Sequence, residues 1–302
     1  MKNHYLIIIA GPTAIGKTGI AIELAKYLGT EIISCDSRQI YKEMSIGTAI
    51  PSIKQLAEVN HHFIHNKSIH QYYNASMFEI EVNELLHNLF QIHDVVIMSG
   101  GTGLYIDAVC KGIDDLPEID PAVRQQLAER LESEGIESLR KDLKIIDPEY
   151  YKTVDLKNAK RILKALEVSV MTGKPYSTFL TNPQKHRPYK IVMIGLDTHR
   201  EALYERINRR VDEMINSGLF EEARNLYNYR HLNALNTVGY KEVFEYLDGK
   251  ISPEEALDLI KRNTRKYARR QLTWLRRYKD IKWFEPSEIT AIIRYTENLQ
   301  RM

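Results

Sequence analysis

The chain has 302 residues, 43% of them apolar and 27% charged, with a formal net charge of +2. That composition excludes a fibrous repeat or a disordered chain, and the length suits a main domain with an appendage. No apolar run approaches the roughly 18 residues of a membrane span, so a membrane partner is not expected.

Tyr5–Ala10 is a short apolar run, too short for a secretory core and without a small-residue cleavage pattern. It predicts a strand entering a glycine loop, and Thr18–Leu28 then predicts a helix. Glu31–Cys35 predicts a second strand ending at Asp36. Ser76–Phe90 predicts a helix, and Asp94–Met98 a third strand running into Ser99-Gly100-Gly101. Strands alternating with helices imply a parallel sheet. Asp114-Asp115-Leu116-Pro117 reads as a linker, and Asp120-Pro121 opens a run of charged, helix-period segments. Strand character returns at Lys190–Leu196, after a loop rich in Asn182, Pro183, His186 and Pro188. The expected organisation is an α/β P-loop core over 1–116 and 188–302, with a helical insertion at 117–187. From Arg200 the chain should be helical, ending in a long basic helix with Leu257, Ile260, Ala268, Leu272 and Leu275 at helical spacing.

Cys35 and Cys110 lack metal-type spacing and are expected to be buried free thiols, as in a reducing cytosol. Charge is unevenly spread. From Lys261 to Lys282 there are ten Lys/Arg and one acid, and from Lys157 to Lys190 eight Lys/Arg and one acid. Two such segments in a near-neutral chain favour a polyanionic partner over merely solvated faces.

Gly11-Pro12-Thr13-Ala14-Ile15-Gly16-Lys17-Thr18 matches the P-loop pattern between a strand and a helix. Its backbone amides and helix N-terminus suit phosphate oxygens, Lys17 adds a mobile cation, and the Thr18 hydroxyl suits a magnesium ion, Mg²⁺. A nucleotide hydrolase also needs an acid after an apolar strand to hold that metal. Val95–Met98 runs instead into Ser99-Gly100-Gly101-Thr102-Gly103. The carboxylate delivered near the loop is Asp36, which could support metal or act as a base; spacing leaves both open.

Several motifs in order resemble the tRNA dimethylallyltransferases, also called tRNA isopentenyltransferases. They are Gly11–Thr18, Asp36–Lys42, Gly47-Thr48-Ala49, Gly100–Tyr105, Arg210–Met214 with Gly218-Leu219, Val238-Gly239-Tyr240 and Thr264–Trp274. The resemblance covers nearly the whole chain. It implies transfer of the dimethylallyl group from dimethylallyl diphosphate to the exocyclic amino group of the adenine 3′ to a tRNA anticodon. The P-loop would then hold a departing diphosphate, with Mg²⁺ at Thr18. Asp36 would be the general base, and Arg210 would join Thr18 on the leaving group. The target adenine must be extruded from its stack. By the same match Ser37, Arg38, Gln39, Thr102, Arg124, Lys160-Arg161-Ile162-Leu163-Lys164 and Asn236-Thr237-Val238-Gly239-Tyr240-Lys241 would contact the anticodon stem-loop. Such an enzyme is expected to be cytoplasmic and to work as a monomer.

The chain departs from the family at three places. Ile15 replaces a usual Ser, Lys160–Lys164 replaces Gln-Arg-Leu-x-Arg, and His65 replaces a common Asp. His61, His62 and His65 have no carboxylate or cysteine at ligand spacing, which predicts loop packing over a metal site. The rivals are a small-molecule kinase with Asp36 activating a hydroxyl, and an RNA-binding protein with a vestigial P-loop.

Overall fold

The computed structural model describes residues 3–114, 116–117, 119–181 and 184–300. Asp115 of the expected linker and Asn182 and Pro183 of the expected loop lie outside them. The chain divides into two compact units: Met1–Cys110 with His186–Met302, and Lys111–Lys185.

The first unit is built on six parallel strands: β1 (Tyr5–Ala10), β2 (Ile32–Ser34), β3 (His61–His62), β4 (Val95–Gly100), β5 (Lys190–Leu196) and β6 (Lys282–Phe284). Their spatial order is β3-β2-β4-β1-β5-β6. β1 lies at the centre, paired to β4 from Tyr5↔Val95 to Ala10↔Gly100 and to β5 from Tyr5↔Lys190 to Ala10↔Gly195. All six residues of β1 are buried, as expected of a parallel strand covered on both faces. The helices of this unit are α1 (Lys17–Leu28), α2 (Ile53–Glu58), α3 (Ala75–Leu89) and α4 (Gly103–Lys111), whose last residue crosses into the second unit.

The second unit holds α5 (Pro121–Glu134), α6 (Ile136–Ile146), α7 (Pro148–Thr153) and α8 (Ala159–Thr172). It has its own core, in which Leu127, Leu139, Leu143, Ile162 and Leu166 are buried. Asp120 caps α5 by accepting from Ala122 N at 2.8 Å. Asp147, 1% exposed, caps α7 and also accepts from Ser177 N and Oγ at 2.6 and 2.8 Å. Back in the first unit come α9 (Arg200–Asn216), α10 (Leu219–Asn225), α11 (Tyr240–Leu247), α12 (Pro253–Leu275) and α13 (Ile289–Gln300).

Three expectations need correcting. The C-terminal region is not purely helical, because Lys282–Phe284 adds a strand alongside β5. His61 and His62 belong to an edge strand paired with β2. His62 Nε2 meets Glu31 Oε2 at 2.6 Å, so a carboxylate does accompany the histidines in space, although the described residues form no metal-binding group. Cys35 is buried, but Cys110 is only half-buried; neither forms a disulfide.

Parallel strands deliver their C-terminal ends to one edge of a sheet, where such folds bind ligands. The P-loop follows β1, Asp36 follows β2, and Ser99-Gly100 ends β4. Topology alone therefore gathers groups that are far apart in sequence.

Candidate active site

Ala14, at φ 64°, and Gly16, at φ 106°, turn the loop through the left-handed region. Backbone of this left-handed kind is the sort from which anion nests are made. α1 then starts at Lys17 with no side-chain cap, so its first amides suit the same use. Ile15 is fully buried, so the loop uses its backbone and not its side chain.

Lys17 Nζ donates to the Pro12 carbonyl at 2.8 Å. Burial, and then the neighbouring Arg210, pull the Lys17 ammonium down to about 8 against the attraction of Asp36. Arg206 and Arg210 stand one turn apart on α9 and both reach the loop. Arg206 Nη1 donates to the Ile15 carbonyl at 3.1 Å, and Arg210 Nη1 to Thr13 Oγ1 at 3.4 Å. Burial lowers the Arg210 pKa too, while Asp36 opposes the shift. Thr13 N donates to Gln271 Oε1 at 2.9 Å, and Gln271 Nε2 donates to the Gly101 carbonyl at 2.9 Å. One buried glutamine on α12 thus straps the P-loop to the turn after β4.

Arg38 N donates to Asp36 Oδ1 at 2.9 Å, fixing the carboxylate; the other oxygen has no hydrogen-bond partner among the described residues. Ser37 N donates to Thr102 Oγ1 at 3.0 Å. Tyr267 lies beside them, its pKa raised by burial and then by the charge of Asp36, with Thr102 opposing the shift.

These groups enclose two adjoining chambers. The wider, about 590 Å³, has Gly16, Lys17 and Thr18 on its wall together with Arg206, Arg209 and Arg210. The narrower, about 90 Å³, is walled by Ile207, Val211, Met214 and the 237–239 loop. Asp36, Arg210, Thr13, Thr48 and Tyr267 line both. Anion-binding groups, a fixed carboxylate and a second opening thus meet in one place.

The structure brings Gly11–Thr18, Asp36–Gln39, Thr102, Arg210 and the 236–241 loop into the first unit. Arg124 and Lys160–Lys164 belong to the second, where Lys160 and Arg161 are exposed and Arg124 Nε meets Glu167 Oε1 at 3.2 Å. Four of the expected RNA contacts have side chains engaged within the protein itself. Ile162 is a core residue with no exposed surface, and Leu163 packs against the same cluster. Tyr240 is equally buried, with its hydroxyl on Glu222 at 2.6 Å. Gln39 spends its amide on the Thr48 and Ala49 carbonyls at 3.2 and 3.0 Å and accepts from Ser34 Oγ at 3.2 Å, so it holds a loop.

Sequence reasoning missed Arg206, Tyr267 and Gln271. A signal existed for each: Arg206 precedes Arg210 by four, and Tyr267 precedes Gln271 by four, which places each pair on one helix face. Glu222 had no such signal, because its partners at 45–47 and 240 are far off in the chain.

The sequence model of the IPP transferase family matches residues 39–278. The chain belongs to that family. It is 51% identical to tRNA dimethylallyltransferase 1 of Phocaeicola vulgatus, over 97% of this IPP transferase and 98% of that protein. With tRNA dimethylallyltransferase 1 of Bacteroides fragilis it shares 50%, over 98% and 99% of the two chains. The solved full-length tRNA isopentenylpyrophosphate transferase of Bacillus halodurans matches with a TM-score of 0.72 at 36% identity, covering 99% of this chain and 97% of that one. A eukaryotic dimethylallyltransferase acting on tRNA, 24% identical, shares the fold with a TM-score of 0.75 over 95% of this chain and 75% of its own.

Proposed function

We propose that this IPP transferase moves the dimethylallyl group of dimethylallyl diphosphate onto the exocyclic amino nitrogen of the adenine 3′ to a tRNA anticodon, releasing diphosphate. The observation that carries the reading is the position of Asp36 at the junction of a cationic chamber and a second, less polar one. The diphosphate occupies the P-loop chamber, and the edge of the extruded purine is presented through the narrow one.

In the reaction, the bond from the allylic carbon to the diphosphate oxygen breaks and a bond from that carbon to the adenine nitrogen forms. The nitrogen's proton passes to the carboxylate of Asp36. An adenine amino group is a weak nucleophile, because its lone pair is delocalised into the ring. A fixed carboxylate oxygen with no other partner suits the task. Charge developing on the leaving diphosphate is taken up by the loop amides, Lys17 and Arg210, which are already in place before the bond breaks. Thr18 lines this chamber too, and its hydroxyl oxygen fits Mg²⁺, which is bound through few protein oxygens plus phosphate and water. Bound there, the ion would neutralise diphosphate charge.

A kinase reading is less favoured, since β4 ends in Ser99-Gly100 with no acid to hold a nucleotide's metal. The transfer reading takes the enzyme to be a cytoplasmic monomer, its tRNA substrate being cytoplasmic. Among the described residues no helix is long and apolar enough to cross a membrane.

The test is label transfer from dimethylallyl diphosphate to unmodified tRNA, with labelled ATP in parallel. Transfer to tRNA is expected. ATP turnover without tRNA would establish the kinase reading instead, and tRNA binding without any turnover the vestigial one. Asp36→Asn should lower the transfer rate by about 10²–10⁴-fold with tRNA affinity nearly unchanged. A fully active variant would remove Asp36 from the base role.

A further inference from the structure

Outside the chambers, one carboxylate gathers an unusual set of donors. Glu222 Oε2 accepts from Ser45 N at 2.9 Å and Ile46 N at 2.8 Å. Its Oε1 accepts from Gly47 N at 2.9 Å and from the Tyr240 hydroxyl at 2.6 Å. Three consecutive amides on one carboxylate form an anion nest, and here the anion is the protein's own side chain.

The two segments so tied are the ones that flank the narrow chamber. Gly47 and Thr48 line it from one loop, and Thr237, Val238 and Gly239, just ahead of Tyr240, line it from the other. Glu222 lines neither chamber. The packing shows how closely the loops are drawn together. A β-carbon on Gly47 would sit 2.5 Å from the Tyr240 ring, so only glycine fits there. Burial and then the Glu222 charge raise the pKa of the Tyr240 hydroxyl, which keeps it a donor. On the opposite side Gln39 holds the Thr48 and Ala49 carbonyls. The 45–49 loop is therefore pinned at both ends, by Gln39 within the wide chamber and by Glu222 from behind.

We infer that Glu222 is a positioning residue for the acceptor: it sets the separation of the 45–49 and 237–240 loops, and hence the presentation of the purine edge to Asp36. This rests on the transfer reading given above. It also explains why the Gly-Tyr pair at 239–240 belongs to the acceptor side while the Tyr240 ring itself is out of reach. Tyr240 acts through Glu222 and Gly47.

The experiment is steady-state transfer with donor and tRNA varied separately, on wild type, Glu222→Gln, Tyr240→Phe and the double variant. Glu222→Gln keeps the shape but turns one acceptor into a donor facing backbone N–H groups. The expected result is a loss of about 10–100-fold in kcat/KM for tRNA, because misplacing a reacting group by an ångström has that scale of effect. The KM for dimethylallyl diphosphate should stay within about twofold, since the P-loop is untouched. Tyr240→Phe should show a smaller loss in the same parameter and add little to Glu222→Gln, as expected when two residues act as one unit. A purely structural role would lower the active fraction and leave both KM values alone; that outcome overturns the inference, as does a donor KM that rises in step with the tRNA KM. If Glu222→Gln does not fold, the Tyr240→Phe variant, which leaves the three amide bonds, carries the same comparison. Wild-type protein that transfers nothing would sink the functional reading itself, whereas active wild type with an indifferent Glu222 sinks only this inference.

Discussion

At the scale of single residues, the site depends on charges held close together in a half-buried chamber. Lys17 and Arg210 are like charges a short distance apart, and Asp36 partly offsets their repulsion. This has a measurable consequence. With its pKa drawn down to about 8 by burial and Arg210, Lys17 is charged below pH 8 and increasingly neutral above it. Diphosphate needs the charged form. Affinity for inorganic diphosphate should be flat at neutral pH and fall above pH 8, by at most about tenfold per pH unit. Near pH 8 its binding should take up protons, seen in calorimetry as a heat that varies with the ionisation heat of the buffer. Lys17→Met should abolish that proton uptake; uptake unchanged in the variant would assign it elsewhere. Glycine spacing and strand–loop–helix context made Lys17 legible from the chain alone. Its lowered pKa was not, because Arg210 comes from a helix almost two hundred residues on.

At the scale of elements, α12 is the strut behind the site. Its Gln271 is 6% exposed and bridges Thr13 N and the Gly101 carbonyl, tying together turns that follow different strands. Gln271→Leu keeps the volume but orphans a donor and an acceptor in a buried place, at about 1–3 kcal/mol each. Thermal unfolding should register that loss, and the donor KM should rise because the P-loop loses its tether. A variant with a wild-type melting temperature and donor KM would show the strap to be dispensable. The spacing of Leu257, Ile260, Ala268, Leu272 and Leu275 predicts a basic helix here, but a lone glutamine among arginines carries no hydropathic signal. Strands divide in the same way. β1 and β5 are continuous apolar runs buried by their neighbours and were plain in the sequence. β3 and β6 have two and three residues. They exist because β2 and β5 offer free edges to pair with, and no local pattern announces that.

At the scale of the whole molecule, the chain divides its work between two independently cored units. The alternation of strands and helices made the first legible, and the long strandless stretch made the second so. What the sequence could not separate was charge used for chemistry from charge offered to a polyanion. The structure sorts part of it: Arg206 and Arg210 bond to the P-loop, while Lys160 and Arg161 are exposed on α8 beside the buried Ile162. Ile162 is a core residue, so the segment can present only its flanking cations. Such cations act on phosphates through counterion release, which makes binding steeply dependent on salt. The variant Lys160→Ala/Arg161→Ala/Lys164→Ala leaves the second unit's apolar core intact. Its plot of log affinity for tRNA against log salt should be shallower by about 2–3, one phosphate contact contributing roughly 0.7–0.9 each. Its affinity for inorganic diphosphate should not move, since no P-loop group is touched. Filter binding across a salt series measures the first and calorimetry the second. An unchanged slope would mean that this face of α8 is solvated and that the RNA's charge is met by other cations of the chain.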